Sequence, residues 1–208
     1  MERVDLVVPV KRLVAAKTRL RDPAGDPVGH TRLALALTLD TVAAARTAHR
    51  VRTVLVVTAD RTVAATLAAS GIEVADDPLV GLNAAYDRGA RLLRERDPRT
   101  AVGALQADLP ALRPAELDAA IAAALATRAR AFTADAEGTG TTFLLATAGV
   151  ALDPRFGGGS AARHRASGAV ALDGAWPSLR CDVDTPADLT AALRLGVGAH
   201  TQAAVARV

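Results

Sequence analysis

Two periods organise the hydrophobic and polar positions of this chain. Val4-Asp5-Leu6-Val7-Val8-Pro9-Val10 is a nearly continuous β-branched run, the pattern of a strand buried on both faces. After a stretch rich in Pro, Gly and Asp from Asp22 to Gly29, the residues Leu33, Leu37 and Val42 with their alanine neighbours keep helical spacing up to His49. The pattern then predicts strand 51–57, helix 61–69, short strand 72–74, helix 82–96 and strand 101–107. Pro114 suits a first helical turn and opens a helix over 115–128. The later part changes rhythm. Short strands are expected around Ala131 to Ala134 and Thr142 to Ala146, and another ends near Arg180-Cys181-Asp182 before a helix running to about Leu195. Residues 199–208 are expected to form a tail that frays.

Strand–helix alternation followed by a strand-rich section predicts an α/β fold: a three-layer α/β/α sandwich around a mixed, mostly parallel sheet. Ligands of such a sheet sit at the carboxyl ends of its strands. No period repeats along the chain and no Pro-, Gly- or Ser-rich linker divides it, so residues 1–208 read as one domain.

Composition narrows the functional classes. Of 208 residues, 50% are apolar and 23% charged, which argues against disorder. Apolar stretches such as Ala119 to Ala126 are too short to span a bilayer, and Met1 to Asp5 lacks a signal peptide's apolar segment. The expectation is therefore a soluble, cytoplasmic protein with no membrane partner. The single cysteine, Cys181, leaves no internal disulfide framework, so a metal would be held mainly by oxygen. A net charge of +3 and arginines spread along the chain, with five aromatic residues in all, argue against nucleic acid. Lys11 and Lys17 are the only lysines, six positions apart beside the first strand.

Four clusters carry candidate chemistry. The first is Pro9-Val10-Lys11 with Ala16-Lys17-Thr18-Arg19-Leu20. Lysine offers a compact charge to phosphate oxygens and Arg19 can fork across two of them, although a solvated loop would carry the same charges. Neither Gly-x4-Gly-Lys-Ser/Thr nor Gly-x-Gly-x-x-Gly occurs, so a nucleotide is not held as in a Walker or Rossmann site. The second is Gln106-Ala107-Asp108-Leu109-Pro110, where an acid at a strand's end can coordinate Mg²⁺ or cap the next helix. In Asp182-Val183-Asp184-Thr185-Pro186, strand alternation would turn both acids to one side, where they call for a cation; Asp184 or Thr185 equally serves as a helix cap. The fourth comprises Asp135 to Thr142 and Phe156-Gly157-Gly158-Gly159-Ser160, loops whose amides suit a small anion or which simply connect strands. Asn83, after Gly81-Leu82, either offers its amide to a nucleobase or caps a helix. The four histidines show no metal spacing, and Cys181 lies beside acids that would raise its pKa, so nucleophilic catalysis is disfavoured.

Taken in order, Val8-Pro9-Val10-Lys11, Ala16-Lys17-Thr18-Arg19-Leu20, Gly81-Leu82-Asn83, Gln106 to Pro110, Gly138 to Thr142, Pro154-Arg155-Phe156-Gly157 and Asp182 to Pro186 resemble the 2-phospho-L-lactate / phosphoenolpyruvate guanylyltransferases of coenzyme F-420 biosynthesis. The alanine- and arginine-rich composition resembles that of actinobacterial members. The resemblance implies a nucleotide-diphospho-sugar transferase (glycosyltransferase-A-like) fold using GTP and Mg²⁺. It implies metal-holding roles for Asp108, Asp182 and Asp184, and catalytic roles for Lys11, Lys17 and Asp108. It also implies nucleotide contacts from Lys11, Lys17, Arg19, Gly81 and Asn83, and phospho-acid contacts from Thr142, Gly157 and Ser160. GMP would move to the phosphate of phosphoenolpyruvate, 2-phospholactate or 3-phosphoglycerate with release of pyrophosphate, and an unstable product would be handed to the next enzyme. Where the sugar-nucleotide relatives carry a glycine-rich loop, this chain has Pro9 to Leu20. The alternatives are a nucleotidyltransferase of the same fold with a sugar or molybdopterin acceptor, and a nucleotide-binding module without turnover.

Overall fold

The first strand sets the architecture. In the computed structural model, which describes residues 2–13 and 27–206, β1 (Val4–Val10) is buried along its whole length. It pairs in parallel with β2 (Val51–Thr58) on one side and with β4 (Ala101–Leu105) on the other. Alternate side chains enter different layers: Leu6 and Val8 pack with Val54, Val56 and Leu105, whereas Val7 packs with Leu55, Val57 and Val102. Among the described residues seven strands form one sheet in the order β3-β2-β1-β4-β6-β5-β7, with β3 Glu73–Asp76, β5 Arg130–Ala134, β6 Thr141–Ala146 and β7 Val170–Ala171. Strand β6 runs antiparallel to both β4 and β5, while β7 is parallel to β5. The sheet is mixed and mostly parallel, and helices cover both of its faces.

On one face lie α1 (Pro27–Thr47), α2 (Arg61–Ala69) and α4 (Pro114–Ala126), which share a core with Leu6, Val56 and Phe143. The other face carries α3 (Leu82–Arg96) and α5 (Ser160–Ala166), packed on Val7, Phe132 and Leu144. Helix α3 buries Ala85, Tyr86, Gly89, Ala90 and Leu93, the spacing of one helical stripe. A Cβ on Gly89 would lie 2.4 Å from Val7 Cγ1, so the missing side chain lets α3 approach β1.

At four points the structure corrects the sequence expectation or decides between its alternatives. Strand β4 stops at Leu105, two residues early, although the Gln106 N–H still donates to the Thr142 carbonyl of β6 at 3.0 Å. The strand expected before Asp182 is replaced by α6 (Pro177–Arg180), a short helix opened by Pro177; residues 181–184 are irregular. In α7 (Pro186–Leu195) the cap is Thr185, with a reciprocal capping box to Asp188, so Asp184 is relieved of that role. Finally, the expected frayed tail contains α8 (Ala199–Val205), docked on α1: His200 and Thr201 donate their N–H groups to buried Asp40 at 3.1 and 2.7 Å.

Candidate active site

Where β1 and β4 end, the chain opens a cavity of about 510 Å³, bordered by Pro9, Val10, Lys11, Asp108, Asp182, Asp184, Gly157 and Ser160 among others. Lys11 enters from the β1 side between two anchors. Thr58 Oγ1 donates to the Val10 carbonyl at 2.8 Å, and Asp60 Oδ2 accepts the Leu13 N–H at 2.9 Å while its Oδ1 caps α2. The end of β2 thereby holds the first turn of the lysine segment, although Lys11 itself is exposed. Lys17 and Arg19 lie outside the described residues.

Around the same cavity, backbone contacts fasten two acidic segments to each other. The Val183 N–H donates to the Asp108 carbonyl at 3.0 Å, and the following Leu109 N–H donates to Thr41 Oγ1 of α1 at 2.9 Å. Asp182 is thus brought beside Asp108. Burial, and then the Asp108 charge, with smaller contributions from Asp184 and Asp135, push the Asp182 carboxyl up to about 7. Such a group calls for a positive charge. Among the described residues, however, no three His, Cys, Asp or Glu side chains are grouped as metal ligands. Asp184 is exposed but also borders the cavity, and its backbone N–H donates to Asp188 at 3.1 Å. A pair, Asp108 and Asp182, fits Mg²⁺, which uses one or two protein carboxylates and fills its other positions with water and phosphate oxygens.

Two loops close the remaining wall. Asp135 accepts the N–H groups of Thr139 and Gly140 at 2.9 and 2.7 Å, and the Ala161 N–H donates to the Thr139 carbonyl at 3.1 Å, tying the loops together. Gly157 and Gly159 take φ of 118° and 70°, a left-handed region that suits glycine. The Ser160 N–H turns back to the Gly157 carbonyl at 3.1 Å, so the first amides of α5 serve the loops rather than an anion.

The family model described as Guanylyl transferase CofC like matches residues 4–207. This chain belongs to that family. Its relatives include the phosphoenolpyruvate guanylyltransferase of Geodermatophilus obscurus, 57% identical over 95% of this chain and 92% of the relative. That of Streptomyces scabiei is 54% identical over 98% and 96%. Among solved structures, a putative nucleotide-diphospho-sugar transferase from Desulfovibrio desulfuricans G20 shares the fold at a TM-score of 0.71, with 15% identity over 100% of this chain and 95% of that one. A 4-diphosphocytidyl-2C-methyl-D-erythritol synthase does so at 0.64, with 14% identity over 93% and 99%.

Within this CofC-like member the cavity gathers Lys11, Asp108, Asp182, Asp184, Gly157 and Ser160, but not Gly81, Asn83 or Thr142. Gly81 opens α3 at φ 111°. The Asn83 amide accepts the Phe156 N–H at 2.8 Å and donates to the Phe156 carbonyl at 3.2 Å, so it braces the glycine loop instead of facing a nucleobase. Thr142 is fully buried, and its neighbour Thr141 lines the cavity. Sequence reasoning passed over Asp60, Tyr86 and His164. Tyr86 stacks on Phe156 with centroids 4.3 Å apart and donates to the Leu105 carbonyl at 3.1 Å. His164, fully buried, joins Thr141 to Arg155. The Asp60 cap was detectable as Asp-x-Thr before a helical stripe; the partners of Tyr86 and His164 are distant in sequence and carried no signal.

Proposed function

We propose that this protein transfers GMP from GTP to the phosphate of phosphoenolpyruvate, with pyrophosphate as the leaving group, as a cytoplasmic step of coenzyme F-420 biosynthesis. The observation that carries the reading is that Lys11 and the Asp108–Asp182 pair border one cavity at the carboxyl ends of the strands. The names borne by relatives more than half identical to this chain support guanylyl transfer and the acceptor. No helix among the described residues is long and apolar enough to cross a membrane.

In this mechanism a phosphate oxygen of the acceptor attacks the α-phosphorus of GTP in line, and pyrophosphate departs from the opposite side. The nucleophile is already anionic and no covalent enzyme intermediate is needed, so the difficulty is repulsion between two polyanions. Lys11, with Lys17 and Arg19 of the following segment, neutralises phosphate oxygens, and the loops that carry Thr139 and Gly157 shape the wall for the acceptor. Asp108 and Asp182 would hold Mg²⁺, which would supply neutralisation of phosphate charge there. The bond formed is a phosphoanhydride joining GMP to the phosphate of the acceptor, and the product passes to the enzyme that consumes it. A panel of phosphoenolpyruvate, 2-phospholactate and 3-phosphoglycerate with GTP, ATP and CTP, scored for pyrophosphate and by mass spectrometry for product, tests the reading. Product from GTP and phosphoenolpyruvate is expected; GTP binding without pyrophosphate release from any acid would reduce the protein to a binding module.

A further inference from the structure

His164 sits at full burial between the glycine loop and the wall of the cavity, and both of its ring nitrogens are engaged. The Arg155 backbone N–H donates to Nε2 at 2.9 Å, which makes Nε2 an acceptor. The ring's proton is therefore on Nδ1, where Thr141 Oγ1 lies 2.9 Å away. Burial, followed by the positive charges of Arg130 and Arg163, holds the imidazole neutral, down to about 4. Because a backbone amide can only donate, this tautomer is imposed by the fold. The Thr141 hydroxyl must then accept from Nδ1–H, and its own proton is left pointing elsewhere. Thr141 is 3% exposed yet borders the cavity, and among the described residues no acceptor takes that proton.

The register of β5 and β6 shifts between Thr133 and Ala134, opposite Thr141. This irregularity breaks the two-residue alternation and lets Thr141 meet α5 while still bordering the cavity.

We propose that His164 is a positioning residue that fixes the Thr141 hydroxyl as a hydrogen-bond donor to the anionic acceptor substrate. The proposal rests on the guanylyl-transfer reading for the identity of that substrate, a small acid bearing phosphate and carboxylate. Thr141 selects an oxygen acceptor at one point of the wall, and the Arg155 amide, through the ring, sets the direction of the donated proton.

Calorimetric titration of the full chain with phosphoenolpyruvate, alongside steady-state turnover with GTP, tests it. Thr141→Val keeps shape and removes the hydroxyl; the Kd for phosphoenolpyruvate should rise about tenfold or more, the loss expected for a hydrogen bond to an anion, while the KM for GTP stays put. Thr141→Ser should bind as the natural chain does. His164→Asn retains a donor at the Nδ1 position and should preserve most acid affinity. His164→Gln retains only an acceptor near Nε2 and should weaken binding as Thr141→Val does. Equal effects of the two histidine substitutions, or unchanged phosphoenolpyruvate binding in folded Thr141→Val, would overturn the proposal; the threonine variant alone decides if the histidine variants do not fold. Natural protein that binds phosphoenolpyruvate without releasing pyrophosphate removes the guanylyl-transfer reading and leaves the Kd comparison to judge Thr141. Absence of binding by the natural protein removes both.

Discussion

Asp182 and His164 are two residues whose protonation the fold alters, and in both burial is the main cause. Raising the Asp182 pKa from 3.8 to about 7 means that the folded chain retains a proton the unfolded chain has lost. Stability from this group declines as pH climbs between those values, and the penalty is complete above 7. Asp182→Asn should therefore stabilise the metal-free protein at pH 8, read by urea denaturation, while lowering turnover. For His164 the sign is opposite in pH: the unfolded chain takes up its proton below 6.5 and the folded chain only near 4, so stability is lost as pH falls through that window. His164→Gln should flatten the decline between pH 7 and 5. Asp108→Ala should cut turnover by about a hundredfold or more, as loss of other preorganised electrostatic groups does; a folded variant with undiminished turnover would remove Asp108 from the reaction. Lys11 and Asp108 were legible in sequence because charge beside a strand end is a local pattern. The His164 contacts were not, since one partner is a backbone amide and the other lies 23 residues away.

The longer helices, α1 to α4, were the readable elements. The stripe of α3 and the boundaries of α2 follow from side-chain period and from Asp60 as cap. Strand ends were less legible, because they depend on register with neighbouring strands rather than on local pattern: β4 ends at Leu105, paired with Phe143, two residues before the apolar run suggested. The α6 helix displaced an expected strand, since Pro177 and a buried Leu179 suit a helical turn against α4 as well as an extended run against the sheet. Two substitutions test the element contacts. Gly89→Val would drive a β-branched side chain into buried Val7 and should cost about 1–3 kcal/mol, seen as a lower Tm. Thr185→Ala removes the capping box at α7 and should cost about 1 kcal/mol. Activity should fall further than stability implies if α7 helps hold Asp182 beside Asp108.

Across the molecule, the cavity depends on segments from both ends of the chain, and α8 contributes at a distance. Asp40 is 6% exposed and receives two α8 amides, so deleting residues 199–208 would leave a buried carboxylate without those donors. The expected outcome is a Tm lowered by several degrees, about 2–4 °C for each kcal/mol lost, measured by calorimetry. The sequence alone determined the α/β class, the order of the main elements and the residue types available for phosphate and metal. These properties follow from local period, capping and charge. Tertiary structure decided that β6 runs antiparallel between β4 and β5, that Asp182 stands beside Asp108, and that Thr141 rather than Thr142 borders the cavity. Those outcomes depend on register, burial and backbone hydrogen bonds between distant segments, which a linear pattern of residues does not specify.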